Sequence, residues 1–438
     1  MGNLMPKNGL VLKGLLAALA GASVMSLAAC STPCDVRLCA PIESNTSTPR
    51  AAEPARLAPP PRELSPMRTM PIDGPEAAAA TAMAAAQEGP SASASASALR
   101  IGLMLPLRSA ALAAPADALR AGFMAAFERD GAGIEVHLIE TGDSPQETLD
   151  AYQNALARND IIVGPLARSA VSALAASKLV IKPTIALNHP EVRGRELPPN
   201  LLVVGLSIDD EARQVAEWAA AEQRSDQAGG VALIITGSSA WQRRIANSFA
   251  ARWKQLGHVS QQLVLADSNG YLSEAALAQL RGQIEAAAPV LLFGALDPSQ
   301  AGQVRAAAGA DLPFYGTSSV NPGSDPATSI NELVGVRLLD LPWEVQPGHA
   351  AAMVYPRWLG PQGAASPTLD LDRLYALGID SFRIAREISL RQGRSFSLDG
   401  VTGNLTIDFG QGPARFERVQ RTAVYQGGGF SLIAPAAR

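Results

Sequence analysis

The stretch Leu201-Leu-Val-Val-Gly-Leu-Ser-Ile-Asp-Asp210 decides the fold. Four apolar residues in a row are the pattern of a buried strand. Ser207, followed three residues later by an acid, opens a helix that runs to Glu222. The residues before this stretch already read as one α/β layer. Ile101–Leu107, Ile134–Ile139, Ile161–Val163 and Thr184–Leu187 are apolar strands. Between them lie helices over Gln146–Arg158 and Ser169–Lys178, and one that carries Leu119, Phe123 and Phe127 four residues apart. At Leu201 the strand–helix alternation therefore starts a second time.

Downstream, Val231–Ile235, Val259–Leu265, Val290–Phe293 and Pro313–Tyr315 are strands, and Ser273–Ala287 is a helix. A further helix sets Trp241, Ile245, Phe249 and Trp253 on one stripe, which predicts that all four are buried. Leu371–Ile388 is a long amphipathic helix expected to bury Leu371, Leu374, Tyr375, Phe382 and Ala385. Asn404–Asp408 and Phe416–Tyr425 alternate like antiparallel strands. Strands alternating with helices mean βαβ units and parallel sheets. The expectation is an α/β fold of two lobes, each a doubly wound, mostly parallel sheet. Lobe I covers about 99–206 and 340–394, and lobe II about 207–339 and 395–438.

Composition narrows the function. The 438 residues are 47% hydrophobic and 17% charged, with 36 basic against 40 acidic side chains. Nucleic-acid binders carry a basic excess, so no nucleic-acid partner is expected. Cys30, Cys34 and Cys39 are the three cysteines, and the four histidines are scattered. No metal-ligand spacing is present, and neither a metal nor a cofactor is expected.

The first 29 residues read as an export signal: Lys7 and Lys13 precede an uncharged stretch from Gly14 to Ala29. That stretch is shorter than the roughly 20 residues of a membrane span. It ends Leu27-Ala-Ala-Cys30, a bacterial lipobox pattern in which Cys30 is lipidated and becomes the new N-terminus. Ser31 follows in place of the Asp that retains lipoproteins in the inner membrane, which favours the outer membrane with the protein on its periplasmic face. Cys34 and Cys39 are free to pair in an oxidising compartment. Residues 30–98 hold the lipidated cysteine and a linker rich in Pro, Ala and Ser, too poor in large apolar side chains to fold alone. As a coil it spans about 45 Å and fully extended about 200 Å.

Enzyme signatures are missing. The chain has no phosphate-binding Gly-x-x-x-x-Gly-Lys-Ser/Thr, no Gly-x-Gly-x-x-Gly, no Gly-x-Ser-x-Gly and no Ser-x-x-Lys. No catalytic residue is assigned, and the chain reads as a binding protein. Asp209, Asp210 and Glu211 stand at a helix start, where acids suit the dipole. His189 reads as a locally hydrogen-bonded loop histidine. Ligands of open α/β sheets sit beyond the carboxyl ends of the strands. Those ends carry Arg108 and Ser109, Gly164 and Pro165, Asn188, Ser238 and Thr317, a candidate cleft for a small ligand. Gly and Ser at such places also serve as turns and caps.

Several stretches in order resemble one family. They are Arg100-Ile-Gly-Leu-Met-Leu-Pro-Leu107, Val163-Gly-Pro-Leu166, Ile185-Ala-Leu-Asn188 and Leu206-Ser-Ile-Asp-Asp-Glu-Ala212, then, as the most specific, Arg373-Leu-Tyr-Ala-Leu-Gly-Ile-Asp-Ser-Phe-Arg383 and Gly400-Val-Thr-Gly-Asn-Leu405. Residues 99–438 resemble the C-terminal domain of the penicillin-binding-protein activator lipoproteins of the LpoA/LppC type. The resemblance implies a two-lobed type I periplasmic-binding-protein-like fold. It also implies an outer-membrane lipoprotein whose partner is an inner-membrane class A penicillin-binding protein, a peptidoglycan synthase that it activates. The well-known members carry an N-terminal helical domain where this chain has the linker. The alternative is a periplasmic solute-binding lipoprotein for an amino-acid-type ligand, in transport or sensing. Such a receptor needs fixed charges for ammonium and carboxylate, and these strand ends offer no evident acid. Replacing the lipidation site tests the anchor: Cys30→Ala moves the protein from the membrane pellet to the soluble fraction, and an unchanged pellet rules lipidation at Cys30 out.

Overall fold

The computed structural model describes residues 98–192, 194, 196–223, 230–325, 329–360, 367–391 and 393–433. All lie in one unit, 92–438. The leader over 1–29, Cys30, Cys34, Cys39 and the linker up to residue 97 lie outside the described residues.

Five short apolar runs build the first sheet: β1 (Leu99–Leu105), β2 (Ile134–Glu140), β3 (Ile161–Val163), β4 (Thr184–Ala186) and β5 (Leu201–Val203). All neighbours are parallel, in the order β2-β1-β3-β4-β5. Between them run α1 (Ala113–Asp130), α2 (Pro145–Leu156) and α3 (Arg168–Ala176). The inner strands β1, β3 and β4 are largely apolar because both faces are covered, while the edge strand β2 carries Glu135, His137 and Glu140. Ile101, Leu103 and Leu105 pack with Leu119 and Phe123 of α1. Met104, on the opposite face, packs with Tyr152 of α2 and Leu174 of α3.

Ser207 caps α4 (Ile208–Glu222), its side chain accepting from the Asp210 N–H. The second lobe follows with β6 (Val231–Thr236), α5 (Ala240–Gln255), β7 (Val259–Val264) and the small hairpin β8 (Asp267–Ser268) and β9 (Tyr271–Leu272). It continues through α6 (Glu274–Ala287), β10 (Leu291–Ala295), α7 (Pro298–Ala308), β11 (Phe314–Gly316) and β12 (Arg337–Asp340). Leu233 and Ile235 face the side of α6 and α7, while Ala232 and Ile234 face α4 and α5. Ile245, Phe249 and Trp253 are buried as the stripe predicts, but Trp241 is 37% exposed. It stands in the first turn of α5, where the neighbouring Gln242 is the residue that turns inward.

The chain then returns through α8 (Pro342–Val345) and the long α9 (Leu369–Arg391) to strands β13 (Phe396–Asp399), β14 (Asn404–Asp408), β15 (Arg415–Val419), β16 (Arg421–Tyr425) and β17 (Phe430–Leu432). On α9, Tyr375, Phe382 and Ala385 are buried, whereas Leu371 and Leu374 are only partly so. Residues 395–438 do not all join lobe II. β13, β14 and β15 form their own antiparallel sheet. Phe396, Val401, Leu405, Ile407 and Phe409 are buried in the core that holds α1 and α9. Only β16 and β17 complete the second sheet, ordered β17-β16-β12-β11-β10-β6-β7, where β16 runs antiparallel to β12. The strand expected over 416–425 is thus two strands, broken at the buried Gln420.

Helices α1 and α9 touch backbone to backbone. A Cβ on Gly122 would lie 1.9 Å from the Tyr375 carbonyl oxygen, and one on Gly378 would lie 2.1 Å from that of Leu119. Phe123 and Phe382 meet edge to face beside this contact, centroids 5.3 Å apart. Two residues past Gly378, Asp380 accepts from the Val401 N–H, the Thr402 N–H and the Thr402 hydroxyl at 3.1, 2.8 and 2.7 Å. The two stretches that carry most of the family resemblance therefore bond to each other. In a free helix Gly→Ala is stabilising by about 1 kcal/mol. Here the clash is with backbone and dominates, so Gly378→Ala lowers stability by about 2 kcal/mol, within the usual range for overpacking. A thermal unfolding midpoint equal to or above wild type would refute this contact.

Candidate functional site

The chain crosses between the lobes at 204–207, at 340–341 and at 419–421, and one polar knot holds all three crossings. Asp340, the last residue of β12, is wholly buried. Arg373 of α9 meets it in a fork, Nε to Oδ1 at 3.1 Å and Nη2 to Oδ2 at 2.7 Å. Asp340 also accepts from Asn321 Nδ2 at 2.7 Å and from the Leu341 N–H at 2.8 Å. Arg373 reaches on to the Ser318 carbonyl at 3.1 Å. Ser318 in turn donates its N–H and hydroxyl to Glu211 Oε2 at 3.1 and 2.6 Å. Gln420 Nε2 donates to Glu211 Oε1 at 3.1 Å. Arg418 donates to the Val204 and Gly205 carbonyls at 2.8 and 3.1 Å, and Gln214 bridges α4 to Arg418 and Gln420.

Burial sets the electrostatics. It raises the Glu211 carboxyl above the ordinary carboxylate range, and Asp340 nearby adds to the effect. It pushes Glu344 up to about 8, helped by Asp340 and Asp372. It brings Arg418 down to about 10. Burial would also weaken the Arg373 charge, but the pair with Asp340 outweighs it and holds the guanidinium above its ordinary value. Among the described residues no group of three or more His, Cys, Asp or Glu is arranged to hold a metal.

Beside the knot lies a cavity of about 1050 Å³. Its walls are the outer face of α4 with Arg213, Glu217 and Trp218, the strand β15 with Phe416 and Glu417, and His189. A second cavity of about 610 Å³ shares His189, Val203, Phe416 and Glu417 with it. In the first cavity Arg252 pairs with Glu217 at 2.8 Å, and Arg213 with Asp210. Trp218 Nε1 donates to Glu222 at 2.6 Å, and Tyr315 donates its hydroxyl proton to the other oxygen of that carboxylate, also at 2.6 Å. His189 Nε2 lies 3.2 Å from the Gly205 carbonyl oxygen, a local contact that also places its ring on the groove wall. The arrangement is a groove of mixed polar and apolar lining with two aromatic rings, roomy enough for a chain segment or a sizeable ligand.

The residues expected at the cleft lie elsewhere, each bonded within its own lobe. Arg108 is exposed, pairs with Glu147 and reaches the Glu140 carbonyl at 3.1 Å. Ser109 is buried and accepts from the Leu112 N–H. Gly164 has φ +124°, and a Cβ there would lie 2.1 Å from the Met104 carbonyl oxygen, so its place requires glycine. The Pro165 carbonyl accepts from the Leu187 N–H. Asn188 accepts from the His189 N–H, Ser238 donates to Asp267, and Thr317 caps the turn Ser318–Val320. None of the seven lines either cavity. Glu211 departs from its expected capping role. It shares the buried stripe of Ala212, Val215 and Ala219, a spacing that already marks it as inward-facing. Nothing in the spacing of Asp340 and Arg373 announces that they meet, or that Arg418 reaches the Val204 and Gly205 carbonyls.

The raised Glu344 carboxyl makes stability pH-dependent. Its folded pKa exceeds its unfolded one, so the folded state keeps a proton the unfolded chain gives up. This group's contribution therefore falls as pH climbs from about 4.5 to about 8. Glu344→Gln fixes the neutral form. The variant melts several degrees above wild type at pH 8.5 and level with it near pH 5. An equal offset at both values would show that Glu344 holds no such proton.

The comparisons with known proteins fit this architecture. The family model described as "LppC putative lipoprotein" matches residues 68–283 and 291–426, most of the chain. The penicillin-binding protein activator LpoA of Yersinia pseudotuberculosis is 27% identical over 328 residues, covering 62% of this chain and 46% of that protein. The chain thus spans about half the length of the curated relatives it matches. A structure named a putative branched-chain amino acid ABC transporter, from Chromobacterium violaceum, superposes with TM-score 0.61 at 33% identity over 75% of this chain and 100% of that one. The LpoA C-domain from Haemophilus influenzae, described as a regulator of PBP1A, superposes with TM-score 0.59 at 22% identity over 76% of this chain and 100% of that one, and this likeness speaks for the fold. The fold is that of the periplasmic binding proteins, and the chain belongs to the LppC lipoprotein family.

Proposed function

We propose that this protein is an outer-membrane lipoprotein, anchored through Cys30, that binds a class A penicillin-binding protein from the periplasmic face and activates its peptidoglycan synthesis. The observation that carries the reading is the family match, joined to relatives named penicillin-binding protein activators. The lipobox, the linker and the missing enzyme signatures support it. In this reading the groove of α4 and β15 is the contact surface, because it adjoins all three crossings and reports how the lobes are held. The strand ends at Arg108, Ser109, Gly164, Pro165, Asn188, Ser238 and Thr317 remain candidates for a small cleft ligand. Activation by binding requires that the synthase's active form be bound more tightly than its inactive form, by about 1–3 kcal/mol for a 5–150-fold effect.

A second reading is a solute receptor, favoured by the relative at 33% identity that is named for branched-chain amino acid transport. Reconstitution separates the two. Full-length protein, mixed with the class A synthase of its own organism, raises glycan polymerisation and cross-linking at least fivefold. Glu417→Arg, on the exposed rim of the groove, lowers the apparent affinity at least tenfold and leaves the melting temperature unchanged. No association and no rate change at micromolar concentration overturns the activator reading. A thermal shift of several degrees with a free amino acid then establishes the receptor.

A further inference from the structure

Helix α8 is four residues long, Pro342-Trp-Glu-Val345. It follows the second crossing directly and divides its side chains between two cores. Trp343 is wholly buried in the core that holds α1 and α9, while Val345, 2% exposed, is buried in the core of the second sheet. The Trp343 N–H donates to the Val401 carbonyl at 3.0 Å. A single turn of helix is not stable alone, so these anchors hold it. Glu344 stands between them.

The groups around Glu344 leave its carboxyl without a partner. Charge reaches it from Asp340 at the end of β12, from Asp372 and Arg373 on α9, and from Arg357 in the segment before α9. Arg373 commits its N–H groups to Asp340, Asp370 and the Ser318 carbonyl. Arg357 lies over the Trp343 ring, 4.0 Å from its centroid, and 3.9 Å from Asp372. Arg421, on the neighbouring β16, is turned to Asp399 at 3.9 Å, and so is His349 at 3.2 Å. Glu344 Oε1 is buried, and among the described residues no donor meets it. A carboxylate held there loses its hydration and gains no hydrogen bond in return, so the neutral acid is favoured.

We propose that α8 is a proton-held latch between the lobes: while Glu344 keeps its proton the helix stays seated in both cores, and loss of that proton takes the carboxylate out to water and draws Trp343 and Val345 with it. The seated acid ionises at about 8, and in water at about 4.5. Opening at neutral pH therefore releases one proton, and the opening constant rises by up to about tenfold per pH unit between those two values and levels off above. Leu339, just before the second crossing, lines the groove of α4 and β15. The latch thus bears on the surface given to the synthase, and this last step alone rests on the activator reading.

Amide hydrogen exchange of the full-length chain reads the opening, once each rate is divided by its intrinsic rate at the same pH. Between pH 5.5 and pH 7.5, peptides over 341–347 lose protection at least thirtyfold. At every pH they exchange at least tenfold faster than peptides of β1 and β10, and about 1 M urea leaves them unmoved, because a local opening exposes little surface. Glu344→Gln and Glu344→Met, both neutral, give flat profiles. Exchange of 341–347 at the rate of β1 and β10, and equally sensitive to urea, shows that α8 opens only when the whole domain unfolds, and overturns the proposal. A flat wild-type profile overturns it too. So does a slope that persists in both neutral variants, which would assign the proton to His349 or another group. No synthase enters this measurement, so its outcome is independent of whether the chain activates one.

Discussion

The relation of one lobe to the other depends on the fork between Arg373 and Asp340. Asp340 ends a strand of the second sheet, and Arg373 stands on a helix of the first lobe. A carboxylate fully removed from water is costly unless its oxygens are matched. Here Asn321, the Leu341 N–H and the guanidinium fork match them. Removing either partner leaves a stranded charge, typically at about 3–5 kcal/mol. The other bonds of the knot rest on this pair. Arg373 fixes the Ser318 carbonyl, and Ser318 fixes Glu211. Glu211 and Gln214 hold the last crossing at Gln420, while Arg418 clasps the first. Three passes of chain through the interior expose many backbone groups, and this is how they are satisfied. Such a junction favours one lobe angle over a freely swinging one.

How much of this was legible in the sequence differs by element. The central strands were plain, because a strand covered on both faces must be apolar throughout, as Ile101–Leu105 and Leu291–Phe293 are. Helix α4 was plain from Ser207 and its acids. The destination of a strand was not. Phe396–Val419 alternates as an edge sheet should, but alternation does not say which core receives the apolar face, and it went to α1 and α9. Helix α7 escaped notice because Pro298–Ala308 is mostly alanine, glutamine and glycine, without a strong stripe. The long-range ion pairs were illegible for a simpler reason. Arg373 and Asp340 are 33 residues apart, and nothing local marks either as the other's partner.

The strand ends were legible in the sequence and the groove was not. Strand ends suggested a ligand cleft, but the polar groups found there are consumed by turns, caps and contacts inside each lobe. The cavity lies along α4 and β15, where the crossings leave a groove. A fold of this type serves many functions, and the function follows from the surface it presents. A groove with ion pairs, apolar surface and two aromatic rings offers shape and hydrogen bonds to a chain segment more readily than a pocket for one small ion.

The position of β1 bears on mechanics. It is the first strand of the described fold, and it lies inside its sheet, in register with β2 over seven residues and with β3 over three. A pull arriving through the preceding chain acts along the strand axis and loads those hydrogen bonds together, in shear. It cannot peel them off one at a time, as it would from an edge. A load entering through the chain before Leu99 is therefore spread across the centre of the first lobe, whereas it would unzip the same sheet if its first strand lay outermost.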